Sequence, residues 1–562
     1  MDSTIKTLLK QAFIRSDCLK ALAKDREFSE LCAQVVAVFI ESLPAGTRLV
    51  LYGCGRVSKL LATKFRTVLE DLPITFAETE PTDLVFYGFP ILRAKEIAAW
   101  VPAHIILMTS TYIDEMLEML SGIDSACILR MEDVITNHVD DKSLSAVLAN
   151  ARDLAVAIEL ELRERFQTTD KTACFLEPDI TGGNLTMLRY LQNHGFKVIV
   201  LMRRFDMVSG KLEDFSDYHY EAPSYELLRL LSLLLIPRYA FSVVFLWLFY
   251  AYSEFTERLV ATSAGRTVVC IDTFLTQILE DPQFADIFHQ REPIAPERVA
   301  LVERGILARA AGIIYRHPEK INERFESAFG CRFKKLHMCQ PMDISFRSSM
   351  PVQKYSKEDG RLHIAFICSL YKDPQVTVNT GYPVETIYEP IEVLTGAGIQ
   401  FTVYNPCDVT GGFANLRRMA QENALFRYHP GIHFNKLIPE LQRYDFGWMC
   451  RKISPVKYEY TRTHLPFAVF TFLTAGIPVI VSPELEHLSS FVVNNGVGIR
   501  LPYEEWQNIA ERIAAFDIRR LHVNIDRYCR AFSPDKESER IAVFFDEIIA
   551  GDTTVCLTCG NK

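Results

Sequence analysis

The strongest constraint on this chain is a rhythm that returns three times: an apolar run, a tight turn, an amphipathic helix and a second apolar run. R-L-V-L-Y-G-C-G-R-V-S-K-L-L-A-T-K-F starts it at Arg48, K-T-A-C-F-L-E-P-D-I-T-G-G-N-L at Lys171 and L-H-I-A-F-I-C-S-L at Leu362. Strands that alternate with helices imply parallel sheets, because parallel neighbours need a crossover long enough to hold a helix. The expected fold class is therefore α/β, with Rossmann-like domains in tandem. A chain of 562 residues is too long for one core. The three stretches divide it into 1–145, which includes leading helices, then 146–355 and 356–562. Helical periodicity near 145–168 joins the first two, and the polar run Q-K-Y-S-K-E-D-G serves as linker to the third.

In the first domain, Gly53 and Gly55 permit a sharp turn into a helix whose free N–H groups favour an anion, while Ser58 stands where a dinucleotide-binding turn has its third glycine. The next strand, I-T-F-A-E-T-E, offers Glu78 or Glu80 to a ribose. A tight turn without a ligand and a nucleotide or sugar-nucleotide turn both remain open. D-L-V-F-Y-G and H-I-I-L-M-T-S-T read as further parallel strands. In the second domain, Gly182 and Gly183 let a ligand approach the main chain at a helix start. T-V-V-C-I-D-T-F, a helix around V-A-L-V-E-R-G-I-L-A-R-A and G-I-I-Y-R-H continue the alternation.

The most apolar stretch, L-L-R-L-L-S-L-L-L-I-P-R-Y-A-F-S-V-V-F-L-W-L-F-Y-A-Y, is divided by Arg229, Pro237 and Arg238 into pieces shorter than the ~20 apolar residues of a membrane-spanning helix. Buried core helices come first among its readings, ahead of a membrane-surface patch using Trp247, Phe249 and Tyr250, and a span comes last. A formal charge of -9, with both signs interspersed, gives no general attraction to nucleic acid, so no such partner is expected. Fourteen cysteines, scattered singly through apolar segments, suit a reducing cytoplasm, and the first residues show no secretion signal. The only Cys-x-x-Cys, Cys556 to Cys559, has no second pair or nearby His, so no metal site is expected.

From about residue 170 to 550 the chain resembles glycosyltransferases of the GT-B fold, the family 4 group in particular. The residues that carry the likeness are E-P-D-I-T-G-G-N-L, N-H-G-F-K-V-I-V, V-C-I-D-T-F-L, E-R-G-I-L-A-R-A-A-G-I-I-Y-R-H and, above all, P-F-A-V-F-T-F-L-T-A-G-I-P-V-I-V-S. The resemblance implies two facing Rossmann-like lobes, acceptor side first and nucleotide-sugar side second, preceded here by an extra domain. That domain is similar to small Rossmann modules joined to surface-polysaccharide and sugar-modifying proteins. The family's helix–turn–strand corner is kept at Pro466, Gly476, Pro478 and Val479, and the resemblance implies that it faces ribose and diphosphate. The family's Lys position holds Ala468, its Glu position Thr471, and the upstream Glu position Thr463. Ser369 and Lys372 match the start of the donor lobe, Arg451, Lys452 and Lys457 would neutralise a diphosphate, and Glu484 or Glu486 would stand in for the missing carboxylate.

The resemblance thus implies a metal-independent glycosyltransferase, hexosyltransferase-like, that takes a nucleotide-sugar as substrate and needs no cofactor. Its acceptor would be a glycan, a lipid-linked or a protein hydroxyl, with Asp272 as the candidate catalytic group. The expected location is cytoplasmic, with peripheral contact at the membrane inner face left open. The alternative is a catalytically silent GT-B-like binding or scaffold protein, motivated by Thr463, Ala468 and Thr471.

Overall fold

The structure is a computed structural model. It describes residues 26–551 except 71, 80, 82–84, 101, 109–115, 118, 121–122, 125–127, 132–133, 135–140, 177–181, 204–213, 223–224, 248–252, 264, 272–273, 279–295, 331, 339, 369, 372–381, 406–412, 433, 451–461 and 464. The chain forms two compact units, one from residues 1–165, 202–204 and 221–239, the other from 166–201, 205–220 and 240–562.

The first unit is one α/β layer system. Helix α1 (Arg26–Glu41) precedes strand β1 (Leu49–Tyr52), helix α2 (Arg56–Lys64) and strand β2 (Ile74–Glu78). Strands β3 (Val85–Phe86), β4 (Phe89–Arg93), β5 (His104–Leu107) and β6 (Ile128–Arg130) complete a sheet of order β3-β4-β2-β1-β5-β6. All its pairs are parallel except β3–β4, which corrects the reading of D-L-V-F-Y-G as a parallel strand. That segment is a short hairpin closed by Tyr87 and Gly88, whose φ values of 51° and 91° suit a two-residue turn between antiparallel strands. Helix α3 (Asp141–Arg165) packs against the helix Tyr225–Leu235, which brings Leu230 and Leu234 into the core built around β1 and α2.

The second unit holds two parallel sheets. Strands β7 (Lys171–Leu176), β8 (Phe196–Arg203), β9 (Tyr218–Ala222), β10 (Val243–Trp247), β11 (Thr267–Ile271), β12 (Gly312–Tyr315) and β13 (Lys335–His337) lie in the order β13-β12-β11-β10-β7-β8-β9. Helices α4 (Gly182–Asn193), α5 (Ser253–Thr262), α6 (Pro296–Arg309) and α7 (Glu319–Phe329) provide crossovers. The apolar stretch is thus half helix and half strand. The expectation of core helices holds for Tyr225–Leu235 and is corrected for Val243–Trp247, which is a central strand buried through Leu246. Phe249 and Tyr250 lie outside the described residues, as does the side chain of Trp247. Among the described residues no helix is long and apolar enough to cross a membrane.

The third sheet contains β14 (His363–Ile367), β17 (Gln400–Asn405), β18 (Phe426–Pro430), β19 (Phe446–Met449), β20 (Val479–Val481) and β21 (Gly498–Arg500), in the order β18-β17-β14-β19-β20-β21. A separate two-stranded pair, β15 (Leu370–Tyr371) and β16 (Tyr382–Pro383), lies beyond β14 in sequence. Helices α8 (Tyr388–Gly396), α9 (Ala414–Glu422), α10 (Phe434–Leu441), α11 (Phe467–Thr474) and α12 (Glu486–Asn494) connect the strands, and α13 (Ile518–Ala531) and α14 (Pro534–Ile549) follow. Q-K-Y-S-K-E-D-G contains a helix, Tyr355–Asp359, tied to this sheet where Tyr355 N–H donates to the Arg443 carbonyl at 2.9 Å.

All three sheets share one winding, outward from a first strand in one direction and then back past it in the other, which places a crevice at the carboxyl ends of the two central strands. Tandem Rossmann-like lobes thus make up the second unit, and two features join them. Helix α14 leaves the third sheet and packs on α4 of the second, where Phe545 meets Phe175, Phe196 and Phe245 at centroid distances of 6.3, 5.8 and 6.3 Å. Lys171 pairs with Asp546 at 2.7 Å and Lys334 with Glu547 at 2.9 Å. The connection between the lobes is bonded at both ends. Thr186 Oγ1 and Gln340 Nε2 link it to α4, bonding Asp343 at 2.6 Å and Asn184 at 3.0 Å, and Arg347 donates to the Thr474 and Leu473 carbonyls at the end of α11.

Candidate functional site

Helix α11, a tight turn and strand β20 form the corner at Pro466–Ser482. Apolar side chains surround α11, and Val469, Phe470, Phe472 and Leu473 are buried, so it is a core helix that shows solvent little of itself. Pro466 precedes it with φ -66°, ready for helix entry. Phe472 lies over β19 at Gly447, where a Cβ would overlap the ring. A helix crossing between parallel strands runs antiparallel to them, so the start of α11 and the end of β20 share one side of the sheet.

Gly476 and Pro478 consequently lie at the other end, ~12 Å of helix away at 1.5 Å per residue. Gly476 has φ 78°, its carbonyl accepts from His522 Nδ1 at 2.8 Å, and the place of its missing Cβ is 3.2 Å from the Arg347 guanidinium. These groups hold Gly476 in the packing of the corner. Thr471 Oγ1 donates back to the Phe467 carbonyl at 3.4 Å, a bond within its own helix.

The side that carries the start of α11 meets the second sheet. Arg316, the first residue past β12, places its guanidinium 4.3 Å from the ring centroid of Phe467. Gln277 Nε2 donates to Thr463 Oγ1 at 3.3 Å, with both side chains buried. Gln277 is positioned by buried Glu303 of α6, which accepts from the Thr276 N–H at 3.0 Å and from the Thr276 hydroxyl. His487, on α12 just past β20, hydrogen-bonds the main chain of Arg316. The carboxyl ends of β12 and β20 therefore face each other across a seam.

Charge is concentrated along this seam. Burial pushes the His487 ring down to about 4; the bond to Arg316 opposes that, while His337, His317 and Lys320 reinforce it. Arg462 pairs with Glu486 at 3.5 Å. Buried His317 is bonded through Nε2 to Asn322 Oδ1 at 2.7 Å. Glu484 follows β20 by three positions; together with burial, its charge raises the Cys450 thiol at the end of β19, against the lowering bond from Ser482. Glu484 Oε2 and His487 Nε2 are buried with no partner among the described residues. No group of three or more His, Cys, Asp or Glu among the described residues is placed to hold a metal ion.

Residues 399–533 match the family model of the Glucosyltransferase 3-like, C-terminal domain. That domain runs from the edge of β17 to just past α13, and so takes in β19, the α11–β20 corner and Glu484 with His487. No curated protein matches the chain. Among solved structures, Anabaena HepE in complex with UDP-glucose is similar at 10% identity and TM-score 0.41, covering 68% of this chain and 98% of that one. TarM is similar at 10% identity and TM-score 0.38 over 89% and 99%. MurG of Acinetobacter baumannii is similar at 11% identity and TM-score 0.35 over 67% and 99%.

The other expected site residues fall into two groups. Gly182 and Gly183 open α4, next after the carboxyl end of β7. Asp272, Ser369, Lys372, Arg451, Lys452 and Lys457 lie outside the described residues; in sequence Asp272, Ser369 and Arg451 come within two positions of the ends of β11, β14 and β19. In the first unit, Gly53 has φ 112°, its N–H donates to the Ala77 carbonyl at 2.8 Å and its carbonyl accepts from Ser58 Oγ at 2.5 Å. Gly55 caps α2. Between the two glycines, burial pushes the Cys54 thiol up to about 12, helped by the charge of Glu78 and a bond to it. Arg316 and His487 were not among the expected residues. For Arg316 the available signal was position alone, the first polar side chain beyond G-I-I-Y, where open α/β sheets bind ligands; His487, three residues past Glu484, had no signal in the sequence.

Proposed function

We propose that the chain is a glycosyltransferase of the GT-B type, similar to family 4, that moves a sugar from a nucleotide-sugar to an acceptor hydroxyl at the seam between the second and third sheets. The observation that carries this reading is the apposition of the ends of β12 and β20 through Arg316, Phe467, Gln277, Thr463 and His487. The match to a glucosyltransferase-like domain over 399–533 supports the third sheet as the donor side. The start of α11 offers main-chain N–H groups, and Arg316 and Arg462 supply positive charge, where a departing diphosphate gains negative charge. Arg451 and Lys452, which follow β19 in sequence, Ser369, which follows β14, and Lys372, which follows β15, would add to this, and Asp272 would act for the acceptor. The remaining chemistry is alignment of the acceptor oxygen with the anomeric carbon, without a resident metal or cofactor.

Nucleotide release from UDP-, GDP-, ADP- and CMP-sugars by the purified full chain tests this, with a chelator in a parallel series. Release of one nucleotide, unchanged by chelator, is expected. Binding without release would favour the silent alternative, for which Thr463 speaks by bonding Gln277 and Thr471 by bonding its own helix. An absence of both binding and release overturns the proposal.

A further inference from the structure

The His487 ring is fixed by a bond that crosses from the third sheet to the second. Nε2 has no partner among the described residues, so the bond to the Arg316 main chain runs through Nδ1. That bond strengthens the ring's hold on a proton, so Nδ1–H donates and the Arg316 carbonyl accepts. The tautomer follows: in the neutral ring, Nε2 carries a lone pair. Burial, and after it the nearby His337, His317 and Lys320, discourage a second proton on the ring. A buried lone pair is satisfied only by a hydrogen-bond donor. A phosphate oxygen cannot provide one, whereas a hydroxyl can. Glu484 Oε2, three residues earlier, makes the same demand. Two acceptors on the segment leaving β20 call for a ligand that brings hydroxyls, which the transferred sugar and the ribose of a donor supply and its diphosphate does not. Equal weakening of diphosphate and sugar-nucleotide by His487→Asn would mark the ribose.

We infer that His487 selects the transferred sugar, its Nε2 accepting a hydrogen bond from one ring hydroxyl while Glu484 accepts from another. The inference rests on the nucleotide-sugar reading of this seam and adds to it the residue that distinguishes one sugar from the next. Because Nδ1 is bonded to the opposite lobe, the ring points correctly only while β12 and β20 are apposed.

Calorimetric titration of the full chain at pH 7.5 compares UDP, GDP and ADP with UDP-glucose, UDP-N-acetylglucosamine, GDP-mannose and ADP-glucose. One sugar-nucleotide should bind the wild type more tightly than its own free diphosphate. In His487→Asn, which retains a donor for the Arg316 carbonyl but has no atom at the Nε2 position, that margin should fall about tenfold with the diphosphate affinity unchanged. His487→Gln, which places an amide oxygen near the Nε2 position, should recover part of it. Unliganded melting temperatures close to wild type confirm that both variants fold. If His487→Asn weakens the diphosphate and the sugar-nucleotide equally, or neither, the inference is overturned and the function stands. If the wild type binds none of the seven, the functional reading fails and takes the inference with it.

Discussion

Gly447 lacks a side chain where the Phe472 ring presses on β19, so its exchange for Ala forces either the ring or the strand to move. Overpacking of this kind costs about 1–3 kcal/mol, and Gly447→Ala should lower the urea midpoint accordingly with an unchanged slope. His487 supports a prediction about pH. Folded, its ring titrates at about 4; unfolded, near the ordinary value of 6.5. Between those values the unfolded chain binds the extra proton, so the ring's contribution to stability is complete above pH 6.5 and is lost as pH falls toward 4. The wild type should therefore lose about 2–3 kcal/mol relative to His487→Gln across that window, measured by denaturant unfolding at pH 7 and pH 4.5. Neither residue was legible as functional or critical from its neighbours in sequence. A glycine in F-G-W-M reads as a weak strand position until the helix above it is seen, and the histidine in E-L-E-H belongs to no spacing motif.

Helix α14 shows how an element can belong to a part of the molecule far from its place in the chain. Its Phe545 ring is buried among Phe175, Phe196 and Phe245 of the second sheet. Phe545→Ala should cost about 3–5 kcal/mol, with hydrogen exchange at β7 and β10 accelerated before exchange at β17 and β19. The existence of this helix follows from P-D-K-E-S-E-R-I-A-V-F-F-D-E-I-I, with Pro at its first turn and acids near its start, but the sequence says nothing of the sheet it covers. Alternation made the strands that head each lobe readable. It failed where V-V-F-L-W follows L-L-S-L-L-L-I, since a strand buried on both faces has no period to distinguish it from a buried helix. The corner at Pro466–Ser482 was recognised as helix, turn and strand, but strand direction, which the sequence does not show, puts the start of α11 at the seam and Gly476 at the opposite end of that helix.

At the scale of the whole molecule, the first compact unit is not continuous in sequence. The first unit takes residues 221–239 from the middle of the second, and Leu230 and Leu234 join its core. A fragment ending at Arg165 should therefore bind a hydrophobic dye and melt below the same unit in the full chain, whereas an equal melting temperature would show that the returning helix adds nothing. This interleaving also fixes an order of events during synthesis. The ribosome delivers β7, α4 and β8 before it delivers the helix that closes the first core, so that core waits roughly 4–15 s at ~5–20 residues per second. Throughout that interval the nascent chain exposes an apolar seat beside α3, and a chaperone that shields it would raise the yield of correctly assembled protein.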